Sequence, residues 1–255
     1  GMNGVEAAFD ALVRTYPELM DGARDPIHVT VMGAGAIAKH AIEAATKYGS
    51  LARNDAYGEM NIPGVIVAVL GRNVTRSAAV MSDVLSSTDI LVDATQRSDA
   101  SHPIVPNGWI RHLPSHAVVC DLVVDPYDLG TNPPTVRGIE GIPQGDLDQW
   151  TFAPDDPRWD RTVPTEIPSY ERRTVVSCYS WPGIHPVQCM RRYQQQLAPL
   201  LVTLSQRGGV HGLRANAGMI ERALRRASLQ SWTEGPGSGL AGPAPVQQAL
   251  HAQRI

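Results

Sequence analysis

Lysine is almost missing from this chain. Among 255 residues there are 22 basic side chains, and only Lys39 and Lys47 are lysines. Arginine bias of this kind is the ordinary mark of a GC-rich genome, but it limits chemistry: any step that needs a lysine has two candidates. Cysteine is scarce as well. Cys120, Cys178 and Cys189 cannot all pair, and their surroundings read as core or helix, so reduced thiols in a cytoplasmic protein are expected. Aromatic residues make up 5% and charged residues 18%, against 43% hydrophobic, which excludes disorder for the bulk of the chain. No apolar run approaches the roughly 18 residues of a membrane span. No signal peptide opens the sequence, and Gly1 before Met2 reads as a cleavage remnant. A formal charge of −3 argues against nucleic-acid or anionic-membrane partners.

What the sequence does have is an alternation of strand, turn and helix. Residues 4–16 have helical spacing closed by Pro17, and residues 27–32 read as a buried strand. The turn Gly33-Ala34-Gly35 follows, then a small-residue helix over 36–48. Further apolar strands are expected at 65–70, 90–94, 117–123 and 174–179, with helices at 77–85 and 109–113. Residues 49–64 read as a loop or insertion, and 125–172 as a long ordered loop rich in Pro, Gly and Asp. A long amphipathic helix is expected over 187–207 despite Pro199, and a basic one over 217–229. Apolar, non-alternating strands joined by helices indicate an α/β fold, a doubly wound parallel sheet of Rossmann-like type with flanking N- and C-terminal helices. The expected organisation is a helical segment at 3–25, a dinucleotide-binding domain at 26–186, helices at 187–230 and a flexible arm at 231–255.

The chief chemical motif is Gly33-Ala34-Gly35-Ala36-Ile37-Ala38, a G-x-G-x-x-A between a strand and a helix. The first glycine permits the tight turn, the second lets a pyrophosphate approach the backbone, and the small last residue lets helix and strand pack closely. The helix N-terminus offers unpaired N–H groups and partial positive charge. Gly33, Ala34, Gly35, Ala36 and Ile37 are therefore cofactor-binding candidates. The second strand ends Leu70-Gly71-Arg72-Asn73, with no carboxylate to hold the ribose hydroxyls of NAD. Gly71 leaves room for a 2′-phosphate, and Arg72, beside Asn73, is placed to bind it, which favours NADP over NAD. Ala94 and Thr95, where the third strand ends, complete this group.

From Ile90 onward the chain resembles the C-terminal, dinucleotide-binding domain of alanine dehydrogenase and proton-translocating transhydrogenase. The residues that carry the resemblance are Ile90-Leu91-Val92-Asp93-Ala94, His102-Pro103-Ile104-Val105, Leu113-Pro114 and the run 117–125 ending in Asp125. To these is added Cys178-Tyr179-Ser180-Trp181-Pro182-Gly183, similar to the family's Asn-Met-Pro-Gly stretch. The resemblance implies that Asp125 is the reaction-centre carboxylate and that Ser180, Trp181 and Pro182 lie beside the nicotinamide. It also implies hydride transfer to or from an amino-acid or keto-acid-like substrate. Pro126-Tyr127-Asp128 departs from the family's Gln-Gly-Gly. Saccharopine dehydrogenases of the lysine-forming kind share the domain and have an Asn-Pro segment, compare Asn132-Pro133-Pro134.

In alanine dehydrogenase an N-terminal domain supplies the Arg, Lys and His that bind and protonate the keto acid. Here about 25 residues precede the first strand, and Lys39 and Lys47 lie on the first cofactor helix. His102 and His185 read as loop histidines, and Asp155-Asp156-Pro157 as a turn, so no metal site is expected. Two functional readings follow. One is the NAD(P)-binding part of an oxidoreductase, working as a homo-oligomer or with a partner substrate domain. The other is a dinucleotide-binding or sensing module without complete catalytic machinery.

Overall fold

The computed structural model describes residues 1–21, 24–60, 62–123 and 125–228. The arm expected over 231–255 lies outside them. The chain divides into two compact units, Gly1–His185 and Pro186–Ile255.

In chain order the first unit contains α1 (Met2–Thr15), β1 (Ile27–Met32), α2 (Ala36–Ala45), α3 (Leu51–Glu59), β2 (Val65–Leu70), α4 (Arg72–Thr75), α5 (Ala78–Ser86), β3 (Ile90–Asp93), β4 (Val118–Asp121), β5 (Thr151–Phe152), α6 (Trp159–Thr162) and β6 (Thr174–Ser177). The strands form one sheet in the order β2-β1-β3-β4-β6-β5. Every neighbouring pair is parallel except β5 and β6. The chain leaves β1 toward β2 and then returns past β1 to β3. The two halves of the sheet are thus wound in opposite senses, and a switch point falls between the C-terminal ends of β1 and β3.

The all-apolar strands are explained by cover on both faces. On one face α1 and α2 pack on the sheet, burying Phe9 and Leu12 with Val29, Val31, Val92 and Cys120. On the other, Met81 and Leu85 of α5 join Ile110, Ile139, Ile142, Trp159 and Val175. Beyond packing, α1 covers the β4–β6 half of its face, a place that crossover helices usually fill. β2, at one edge of the sheet, is less covered, and its Ile66 and Val69 stand exposed.

The structure revises two segments. Residues 49–64, read as loop, contain α3, whose N-cap Ser50 accepts a hydrogen bond from the Arg53 N–H. Only Tyr57 of that helix is buried, so its hydrophobic periodicity is too weak to read. The segment 125–172 includes β5 and α6 and supplies part of the core. Trp159 is fully buried, and its indole N–H donates to the Gly141 carbonyl and Ser169 Oγ. Turns hold this segment, for example Asp146 accepting from the Asp148 and Gln149 N–H groups, so its apolar residues follow no period.

In the second unit α7 spans Pro186–Gln206, with Pro199 inside it, and α8 spans Met219–Arg226. Glu221 joins them by accepting from the Arg207 side chain and the Arg214 N–H. Among the described residues no helix is long and apolar enough to cross a membrane.

Candidate functional site

The switch point is where the sequence motif lands. β1 ends at Met32, in register with Leu70 of β2 on one side and Asp93 of β3 on the other. Gly33 then turns with φ +101°, its N–H bonded to the Leu70 carbonyl at 3.0 Å. A Cβ at Gly33 would stand 2.6 Å from the Ala94 carbonyl oxygen, so only glycine fits this close approach. Gly35 is different: nothing lies within 4 Å of where its Cβ would be. It caps α2 without a side chain, so the first-turn N–H groups of this ten-residue helix receive no side-chain cap from it. Gly71 opens on similar empty space at the end of β2.

A cavity of about 720 Å³ joins these features. Gly33, Ala34 and Gly35 form its floor, with Leu70, Gly71, Arg72, Thr75 and Arg76 on one side and the loop after β3, from Ala94 to Asp99, on the other. His102, Pro103, Ile104, Pro106 and Trp109 close the far wall. Arg72 and Arg76 lie four residues apart on one helical turn, and neither guanidinium has an ion-pair or hydrogen-bond partner among the described residues.

Of the residues expected to bind a cofactor, Gly33, Ala34, Gly35, Gly71, Arg72, Ala94 and Thr95 share this cavity. Ala36 and Ile37 are exposed on the first turn of α2, and Asn73 is exposed on α4; none of the three is in the cavity wall. Ser180, Trp181 and Pro182 lie elsewhere, around a 3₁₀ turn after β6. Trp181 is buried under α1, its indole N–H donating to the Asp121 carbonyl at 3.0 Å, so its ring serves the core. Asp125 is half-buried and paired with Arg97 at 2.5 Å.

Several side chains were not picked out in the sequence. Arg76 was legible there, because helical spacing puts it beside Arg72. Arg97 had no signal, since its partner Asp125 is 28 residues away. A third feature is a buried polar row across the sheet, in which Asp93, Asp121 and Ser177 are register neighbours at the ends of β3, β4 and β6. Arg137, from the 125–172 segment, ion-pairs with Asp121 and donates to Ser177 Oγ at 3.0 Å and the Pro143 carbonyl at 3.2 Å. Asp93 Oδ1 accepts from the Thr95 N–H at 3.0 Å and its hydroxyl at 2.7 Å. Burial and the adjacent Asp121 charge push the Asp93 carboxyl up to about 6, against the pull of the Thr95 hydrogen bonds. Burial also raises the Cys120 thiol, which makes it an inert core group. Among the described residues there is no group of three or more His, Cys, Asp or Glu side chains placed to hold a metal ion.

No protein-family model and no curated protein matches this chain. Similar solved structures include a dipicolinate synthase chain from Bacillus halodurans, at 15% identity and TM-score 0.23, covering 46% of this chain and 37% of that one. Another is a glyoxylate reductase from Paecilomyes thermophila, at 10% identity and TM-score 0.25, covering 48% and 41%. The matches span less than half of either protein's own length, and likeness at this level bears on no function. Strand order, helical layers and the glycine turn define the class. It is a doubly wound, Rossmann-like α/β protein, the fold that NAD(P)-binding oxidoreductases use.

Proposed function

We propose that this chain is the cofactor-binding part of an NAD(P)-dependent oxidoreductase and that NADP is its preferred dinucleotide. One observation carries the reading: a single cavity runs from the uncapped glycine turn to two arginines that have no partner among the described residues. The residues fit such a group. Gly35 and Gly71 leave the space a phosphate and a ribose need, and the first-turn N–H groups of α2 are donors for a pyrophosphate. Arg72 and Arg76 pair with the 2′-phosphate that separates NADP from NAD. Pro103, Ile104, Pro106 and Trp109 give the apolar wall that suits a purine ring.

When bound, the nicotinamide supplies hydride transfer. The resemblance to alanine dehydrogenase and transhydrogenase makes an amino-acid or keto-acid-like molecule the substrate, with Asp125 as reaction-centre carboxylate. A cytoplasmic homo-oligomer, or a partner substrate domain, belongs to the same proposal. The alternative, a dinucleotide-sensing module, draws support from the engagement of Asp125 by Arg97.

Titration with NADPH and NADH, followed by cofactor fluorescence, tests both readings. Each arginine–phosphate contact contributes on the order of 1.5–3 kcal/mol, so NADPH should bind at least tenfold tighter than NADH. Failure of both to bind at millimolar concentration would sink the dinucleotide reading.

A further inference from the structure

The cavity ends on the side facing the middle of the sheet, and that end is made of paired charge. β3 stops at Asp93 and β4 at its register neighbour Asp121. Arg97 and Asp125 each lie four residues beyond those ends, and their ion pair joins the two adjacent loops. Arg97 lines the cavity, whereas Asp121, Asp125 and residues 180–182 do not. A dinucleotide lies across the C-terminal edge of such a sheet, so its nicotinamide half must extend past this pair toward β4.

Arg97 is the fixed member of the pair. Its side chain is 6% exposed and donates to the His102 carbonyl at 3.0 Å and the Val136 carbonyl at 2.6 Å, while its buried Nε has no partner among the described residues. Asp125 is 32% exposed and sits at the edge of solvent. If the pair opens, Asp125 leaves and Arg97 stays, with a strong donor uncovered at the cavity end.

We infer that Arg97 is a specificity-determining residue at the nicotinamide end, and that Asp125 masks it. The closed site grips the adenosine 2′,5′-bisphosphate half of the ligand. The other half adds affinity only when one of its acceptor oxygens, such as a carboxamide oxygen, replaces Asp125 at Arg97. This rests on the dinucleotide reading above and adds to it a division of the site into a ready half and a masked half.

Calorimetric titration of the full chain with 2′,5′-ADP and with NADP⁺ tests it. In the unaltered protein the two should bind with less than a fivefold difference. Asp125→Ala should then favour NADP⁺ over 2′,5′-ADP by a further fivefold or more, and adding Arg97→Met should erase that gain. A fivefold or larger preference for NADP⁺ in the unaltered protein would overturn the inference without recourse to any variant. So would an Asp125→Ala protein that melts cooperatively but keeps the original ratio. Absence of binding by both 2′,5′-ADP and NADP⁺ would instead remove the dinucleotide reading, and this inference with it.

Discussion

The two halves of the sheet's C-terminal edge both carry charge and use it in opposite ways. On the β2–β1 side Arg72 and Arg76 are exposed, with no partner among the described residues, beside an open glycine turn. On the β4–β6 side Arg137 and Asp121 form an ion pair in the interior, and Arg97 holds Asp125 at the edge of solvent. The Arg137 guanidinium, paired in the interior, contributes to the fold, whereas two left open on one wall of a cavity are available to an anionic ligand. Open charge and buried paired charge are thereby separated along one edge, and substitutions test whether the two serve different ends.

The largest effect is expected at Arg137. Its loss leaves Asp121 without its guanidinium beside Asp93, in a site where Arg137 is 1% exposed. Arg137→Met should lower the unfolding free energy by about 3–5 kcal/mol, measured by urea denaturation. An undestabilised variant would mean that the paired half is not structural.

Next come the two glycines of the turn, which differ in kind. Gly33→Ala should cost about 2–3 kcal/mol, because it forces a side chain onto positive φ and against the Ala94 carbonyl. Gly35→Ala meets no atom, so stability should change by less than about 0.5 kcal/mol while NADPH affinity falls at least tenfold. Equal destabilisation by both would show that Gly35, too, is needed for packing.

Asp93 gives a prediction in pH. Its carboxyl titrates near 6 in the fold against an ordinary 3.8, so the native state holds the proton more tightly. That contribution is fully present below pH 3.8 and is lost as pH rises through 6. Asp93→Asn removes the loss and should raise stability at pH 8 by on the order of 2 kcal/mol, with little change at pH 4. A stability difference that does not grow between pH 4 and 8 would contradict this.

The open half of the edge, where the glycine turn and Arg72 share one cavity, was largely legible in the sequence, and the interior pairs were not. Gly33 and Gly35 could be read because a local turn imposes them, and Arg72 because it directly follows a strand. Asp125 was found only through a resemblance, and its partner Arg97 through neither route. Arg137 lay in a segment without periodicity. Pairs such as Arg97–Asp125 and Arg137–Asp121 depend on which strands become neighbours, and no local pattern encodes that. α3 was missed for the reverse reason, since one buried tyrosine makes too faint a stripe to mark a helix. The N-terminal helix was read correctly as a helix, but its place on the sheet beside α2 is a tertiary fact.

The central claim is that two open arginines select a 2′-phosphate, and the ratio of NADPH to NADH affinity measures it directly. The unaltered protein should favour NADPH at least tenfold, and the Arg72→Ala, Arg76→Ala double variant should bring the ratio near one by weakening NADPH alone, with thermal stability unchanged. A ratio that survives the double substitution, or an equal loss of NADH, would contradict the account.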